Sequence, residues 1–331
     1  MEAVAVGDRA PEISVVVPSH DRPVRLRWLL NALAEQTLPR ERWEVVVAHD
    51  SSGADTEELL RTHPLAREGV LRHLTYQPGA SPMATRRNAA WRMARSPLVA
   101  FTDDDCRPPP EWLERALAAA NRHPGAVVQG ATRPDPDEWA EGFGPNLHTQ
   151  NIHPPTPWAE TCNIVYPRAV LEATGGFVEE PPLAVADDTD LAVRARKDAG
   201  AAYVGAPEVL TYHAAESAPL HRRLRGLWRW QDNPWLVKRH PEMRESYFLW
   251  IFWKRSHVWL PFATAGVLLA RRKPVWLLLA APWLAHSLPR YGQAPRTRLR
   301  ALSEVPGRFL YDATEFAAHA RGSLKHRTLF L

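Results

Sequence analysis

Cysteine is scarce: Cys106 and Cys162 are the only two in 331 residues. Two thiols set up no disulfide framework, so the core must hold the fold and a reducing compartment is expected. The N-terminus lacks the basic start and long apolar core of a secretory signal. No apolar run reaches the roughly 20 residues of a simple membrane span, and no internal repeat is evident. Acid is what the last third lacks. Residues 221–331 hold 6 Asp and Glu against 20 Lys and Arg, whereas residues 1–220 hold 31 against 21. Eight of the 14 tryptophans also fall in that basic third. The split points to two jobs: an acidic part that carries chemistry, and a basic, Trp-rich part that meets an anionic surface. An apolar fraction of 45% and a charged fraction of 24% are ordinary for a folded chain. The length suits one large α/β domain or two smaller ones.

What is present is an alternation of β-branched runs and helix-spaced leucines. Residues 12–17 read as a buried parallel strand stopped by Pro18, and 23–36 as a helix with Leu26, Leu29, Leu30 and Leu33 on one face. Strands are predicted at 43–48, 71–76 and 98–102, with helices near 56–62 and 84–94 between them. A helix at 110–123, strands at 126–132 and 163–166, a helical turn at 168–174 and a helix at 188–199 follow. The section 133–161, rich in Pro, Trp and polar residues, is too irregular to assign and is read as a substrate loop. This order argues for an α/β fold with a mainly parallel sheet flanked by helices. Ligands bind beyond the carboxyl ends of such strands, so Pro18–Arg22, Asp50 and Asp103–Asp105 should converge on one crevice.

The strand at 98–102 ends in Asp103-Asp104-Asp105, three acids that repel one another. Such a triplet at a strand end suits a hard divalent cation, Mg²⁺ or Mn²⁺, which takes oxygen ligands and leaves positions for water or phosphate. A second acidic cluster, Asp187-Asp188-Thr189-Asp190, lies further on.

Together these motifs resemble family 2 glycosyltransferases. Pro18-Ser19-His20-Asp21-Arg22 is similar to that family's Pro-Thr-Tyr-Asn-Arg opening, and residues 45–52 to its Val-Val-Asp-Asp-Gly-Ser turn. Gly79 to Asn88 resembles Gly-x-x-x-Ala-Arg-Asn, and residues 101–105 the Asp-x-Asp signature. Gly175-Gly176-Phe177 followed by Asp187-Asp188-Thr189-Asp190-Leu191 resembles Gly-Gly-Phe…Glu-Asp-x-Asp-Leu. Five motifs agree in order over about residues 11–215. The resemblance implies the GT-A fold for residues 1–220. It also implies metal-dependent, inverting transfer of a sugar from a nucleoside-diphosphate donor to an acceptor hydroxyl.

Carried over residue by residue, the resemblance makes Asp105 the direct metal ligand, with Asp103 nearer the ribose or a metal-bound water and Asp104 either a helper or the acid that points away. His213, 25 residues beyond Asp188, is similar to a late histidine that completes the metal site in some members. Asp188 takes the place of the general base, with Asp187 as runner-up. Asp190 is expected to cap its helix or hold a neighbouring Arg. Asp50 stands where an acid hydrogen-bonds the base, and Arg87 where an arginine lies near base or diphosphate. Pro18, Ser19 and Asp21 would line the nucleoside pocket, while Arg86 reads as a solvated helix charge. The chain departs from the family at His20, Asp21, His49, Ser51 and Asp187, which leaves base and sugar unassigned.

Residues 221–331 are read as a helical, basic, Trp-rich extension with a membrane-associated role. They comprise a helix at 224–239 and two apolar segments, 258–270 and 275–288, joined by Arg271-Arg272-Lys273-Pro274. A hairpin re-entrant in the membrane or lying in its interface is expected, at the inner face of the cell membrane. Two buried helices of a subdomain are the plainer reading. The expected acceptor is a glycan, a lipid-linked sugar or a small molecule, in cell-surface glycan or glycolipid synthesis. Two other readings compete. A sugar-phosphate nucleotidyltransferase would want a Gly-rich basic loop after the first strand, where this chain has Pro-Ser-His-Asp-Arg. A non-catalytic nucleic-acid or lipid-surface binder would use the basic third, but no recognition module is evident there, so nucleic acid is not an expected partner.

Overall fold

A computed structural model describes residues 10–79, 81–141, 147–289 and 295–331. The chain divides into two compact units, one running to Glu216 and the other from Ser217 to Leu331.

In the first unit, strands and helices alternate as β1 (Ile13–Ser19), α1 (Pro23–Ala34), β2 (Trp43–His49), α2 (Ala54–Thr62), α3 (Pro64–Arg67), β3 (Leu71–Thr75), α4 (Met83–Met93) and β4 (Leu98–Phe101). Then come β5 (Cys106–Arg107), α5 (Trp112–Arg122), β6 (Val127–Pro134), α6 (Pro136–Glu141), β7 (Leu147–His148), β8 (Ile164–Pro167), α7 (Arg168–Thr174), α8 (Asp187–Lys197) and β9 (Tyr203–His213). Every residue of β1 and β2 is buried, as a central strand covered on both faces requires. α1 starts on Pro23, whose missing N–H costs nothing in a first turn, and buries Leu26, Leu29, Leu30 and Leu33.

Eight strands form one sheet in the order β3-β2-β1-β4-β8-β6-β9-β5. β3, β2, β1 and β4 run parallel, β8 is antiparallel to β4 and β6, and β9 is parallel to β6. Apolar cores lie on both sides, one with Leu26, Leu30 and Leu113 from α1 and α5, the other with Ala90, Leu171 and Leu191 from α4, α7 and α8. Because β1, β2 and β4 are parallel and in register (Ser19 opposite His49, Val16 opposite Phe101), their following loops leave from one edge. That edge carries the candidate site.

Two irregularities aim a distant residue at the same edge. β6 shifts register between Gly130 and Ala131, where a Cβ on Gly130 would stand 2.3 Å from the Val209 carbonyl oxygen. Asn163 spans this bulge, donating from Nδ2 to the Ala131 and Val209 carbonyls at 2.8 Å each. Beyond it β9 continues to His213, which β5 pairs with Cys106, one residue from the acid triplet. The section 133–161 is more ordered than its composition suggests: β6 continues to Pro134, α6 follows, and residues 142–146 lie outside the described residues.

The second unit is helical: α9 (Leu220–Leu227), α10 (Asn233–Arg239), α11 (Arg255–Leu269), α12 (Ala281–Ser287), α13 (Pro295–Ser303) and α14 (Val305–His326). The single helix expected over 224–239 is broken by a 3₁₀ segment, Trp228–Asp232. Pro234 explains the break, since its ring would clash with the carbonyl four residues earlier in a continuous helix. α14, unsuspected from the sequence, buries Asp312, Glu315, Ala318 and His319. Among the described residues no helix is long and apolar enough to cross a membrane.

Candidate active site

The loop after β4 presents the three acids to three different partners. Asp104 is buried and accepts a hydrogen bond from Ser19 Oγ at 2.7 Å. Burial, then repulsion from Asp105, push its carboxyl up to about 7. Asp105 faces Arg22 Nη1 at 2.5 Å on one side and His213 Nε2 at 3.5 Å on the other. Asp103 lies 3.5 Å from Arg87 Nη2. Burial is the main reason its proton affinity is raised, with Asp105 adding to it and Arg87 opposing it.

Asp103, Asp105 and His213 each offer a ligand atom, and these atoms lie within 4.8 Å of one another. His213 Nδ1 donates to the Ala214 carbonyl oxygen at 2.9 Å, which orients the ring so that Nε2 faces the acids. Two carboxylates and an imidazole fit Mn²⁺ or Mg²⁺. Arg22 supplies a positive charge to Asp105 from the side opposite His213.

The second acidic cluster reaches the first through one buried guanidinium. Arg87, on α4, donates from Nη1 to Asp187 Oδ2 at 3.0 Å while Nη2 faces Asp103. α8 begins at Asp187, so Asp187 and Asp188 both stand in its first turn, where the helix dipole favours negative charge. Asp188 accepts from the Thr189 N–H at 2.8 Å. Burial first, and Asp187 second, push its carboxyl up to about 8, against the pull of Arg87.

Asp190 is fully buried and holds Arg194 at 2.7 Å, as one of its two sequence readings had it. That arginine donates to the Thr174 and Gly176 carbonyls at 2.6 and 2.7 Å, locking α8 to the Gly-Gly-Phe turn. Gly176 has φ of 78°, and a Cβ there would stand 2.4 Å from Asn88 Oδ1 and 2.7 Å from Trp91 Nε1. Gly176→Ala should therefore lower stability by about 2–4 kcal/mol through left-handed strain and overpacking. Urea unfolding of both forms measures this, and an unchanged midpoint contradicts it.

On the nucleoside side, Asp50 is buried, with His20 Nδ1 at 2.9 Å and Arg86 Nη1 at 2.5 Å from the same Oδ1. The solvated reading of Arg86 is corrected: it is buried against Asp50. Pro18 is buried in β1, opposite Ala48. Ser19 is occupied in holding Asp104. Asp21 adopts φ of 50° and accepts from Ser52 N–H at 2.6 Å, a bond that lowers its proton affinity. Asp21 thus ties the loop after β1 to the loop after β2.

Sequence reasoning passed over three further groups. Arg22 closes the Pro18–Arg22 motif and pairs with Asp105. Asn88 holds the Phe177 backbone through both amide ends and meets Glu179 at 2.6 Å. Glu160, whose charge raises the proton affinity of Asp188, is fixed by Gln129 and Thr156. Arg22 and Asn88 each have a sequence signal in their place in a motif, and Glu160 has none.

A mostly parallel α/β sheet with paired acid clusters at its carboxyl edge defines a GT-A transferase. Residues 14–177 match the model of Glycosyl transferase family 2, and the chain belongs to that family. It is 26% identical over 235 residues to "Glycosyltransferase AglE" of Haloferax volcanii, covering 69% of this chain and 76% of that protein. It is 28% identical over 205 residues to validoxylamine A glucosyltransferase of Streptomyces hygroscopicus subsp. jinggangensis, covering 51% of this chain and 48% of that one. The chain thus spans about three quarters of the first relative and about half of the second. Among solved structures, mannosyltransferase PcManGT from Pyrobaculum calidifontis, in complex with GDP-Man and Mn²⁺, aligns with a TM-score of 0.56 at 21% identity. That match covers 97% of this chain and 88% of the other. S. aureus TarS 1–349, in complex with UDP, gives 0.51 at 18%, covering 96% and 92%. These likenesses bear out the GT-A fold. The chain is a glycosyltransferase, which sets aside the nucleotidyltransferase and non-catalytic readings.

Proposed function

We propose that this enzyme transfers a sugar, with inversion, from a nucleoside-diphosphate donor to an acceptor hydroxyl. We place it in the synthesis of a lipid-linked or cell-surface glycan at the inner membrane face. The observation that carries the reading is Arg87, which pairs with Asp103 and with Asp187 and so brings both acid clusters to one guanidinium. The solved complexes of PcManGT with GDP-Man and Mn²⁺ and of TarS with UDP favour a nucleotide-sugar donor.

Asp103, Asp105 and His213 would hold Mg²⁺ or Mn²⁺. A bound ion would supply positive charge to the diphosphate oxygens, where leaving-group charge develops. Asp50, steadied by Arg86 and His20, would accept from an N–H of the base, with Pro18, Ser19 and Asp21 shaping the nucleoside side. Arg87 would hold Asp103 and Asp187 at a fixed spacing through its two Nη groups. Asp188 would take the acceptor's proton at its carboxylate as the hydroxyl attacks. Its raised proton affinity makes it a stronger base than an exposed Asp.

The pH dependence follows in sign. An acid whose proton leaves near 8 is mostly protonated, and so idle as a base, below that pH. kcat/KM should rise through an apparent pKa near 8, and Asp187→Asn, which removes a neighbouring negative charge, should move that limb down. A limb near 4 would exclude Asp188 as the titrating group.

Arg22 competes with the metal for Asp105. Arg22→Gln should tighten donor-free Mn²⁺ binding by up to about five-fold, the worth of a half-exposed ion pair. Calorimetry reads this directly, and unchanged or weaker affinity contradicts it. The reading as a whole is tested by a panel of UDP-, GDP- and dTDP-sugars with Mn²⁺. Release of a nucleoside diphosphate from one of them is expected, and release from none overturns it.

A further inference from the structure

We propose that the turn between α11 and the 3₁₀ segment Pro274–Ala280 docks on an anionic bilayer surface, entering the boundary of headgroups and acyl chains without crossing it. The proposal deepens the membrane-face reading above by naming the contact and the lipid chemistry.

α11 carries no Lys, Arg, Asp or Glu after Arg255, and residues 274–289 carry none either. A helix apolar all round is at home in a protein core or in lipid. Here only one side is covered. Leu260, Ala263 and Gly266 face inward and are buried, as is Trp283 of α12. The two arms meet closely at Gly266, where a Cβ would stand 2.6 Å from the Trp276 carbonyl oxygen and 3.0 Å from Leu279 Cβ. The outer side is bare: Phe262, Val267, Leu268, Val275, Leu277 and Leu278 are 50–71% exposed. Large apolar groups clustered this way mark a partner.

Charge identifies that partner. Arg271, Arg272 and Lys273 form the turn, all exposed, with Trp276 beside them. Three consecutive cations favour anionic phospholipid headgroups, and Trp favours the depth at which headgroups meet chains. The same cations decide between a re-entrant and an interfacial hairpin. In a re-entrant hairpin the turn would sit near the middle of the hydrocarbon, where unpaired cations are strongly disfavoured. Length agrees, since 15 residues of α11 span about 22 Å against a hydrocarbon thickness of about 30 Å. A second copy is a poorer occupant, because a self-complementary contact through this turn would set two triple-cation turns against each other.

The test is co-sedimentation of the full chain with phosphatidylcholine vesicles, with and without about 30 mol% phosphatidylglycerol. Binding should need the anionic lipid and weaken with salt. Leu277→Ser/Leu278→Ser should lower partitioning at least about ten-fold, and Arg271→Glu/Arg272→Glu/Lys273→Glu should remove the preference for phosphatidylglycerol. These side chains are exposed, so melting temperature and nucleotide release from the donor should stay as in the parent. Failure of the parent to bind anionic vesicles overturns the proposal, as does equal binding by both variants. Dimerisation in light scattering that Leu277→Ser/Leu278→Ser abolishes, without vesicle binding, would assign the surface to a second copy instead. Vesicle binding needs no donor, so its failure is separable from failure of the transferase reading.

Discussion

Asp188→Asn should lower kcat by about 10²–10⁴-fold, the usual worth of a positioned general base, while donor affinity stays within about three-fold of the parent. The amide keeps the shape of the side chain and its acceptor for the Thr189 N–H, bonded at 2.8 Å in the parent, but cannot take a proton. Asp187→Asn should cost less in kcat and more in stability, because Asp187 is the carboxylate that pairs with Arg87 at 3.0 Å. Isothermal titration with the donor and steady-state kinetics separate the two variants. Normal turnover in Asp188→Asn would remove Asp188 from the proton transfer.

Arg87→Met carries the second large effect. The guanidinium is nearly inaccessible, lies over the Phe177 ring at 5.4 Å, and is the shared cation of Asp103 and Asp187. Methionine fills much of the volume but leaves two carboxylates facing each other without a counter-ion. Breaking a buried pair by removing one member costs about 3–5 kcal/mol, so the midpoint of chemical unfolding should fall by that equivalent. Arg87→Lys should recover part of the stability but little turnover, since one ammonium cannot hold two carboxylates in the guanidinium's fixed geometry. If Arg87→Met unfolds like the parent, the guanidinium does not hold the two clusters together.

The parallel half of the sheet was legible because its signals are local. β1 and β2 are short β-branched runs and β4 a short apolar one, and the helices between them repeat leucines or alanines at helical spacing. β1 runs through Pro18 to Ser19 instead of stopping at the proline, because its neighbour β2 keeps pairing with it there. The acid clusters were legible because adjacent like charges need a reason. Other features depend on partners far along the chain. Arg86 reads as solvated until β2 brings Asp50, 36 residues earlier, against it. β6 gives no hint of its shift at Gly130, which is set by Asn163 and Val209. Ser19 and Asp21 fit a nucleoside pocket by motif, but the structure ties one to Asp104 and the other to Ser52. α14 mixes buried Asp312, Glu315 and His319 with alanines, so its inward face carries charge and the apolar periodicity that announces a helix is weak. In the hairpin, apolar composition gave the two arms, but not which side of each stays bare.

The most direct test is anomalous diffraction from crystals grown with Mn²⁺ and a nucleoside diphosphate. The account predicts a manganese peak coordinated by Asp103, Asp105 and His213, with the diphosphate on the side that Arg87 shares with Asp187. A peak elsewhere, or a diphosphate bound away from both aspartate clusters, would contradict it.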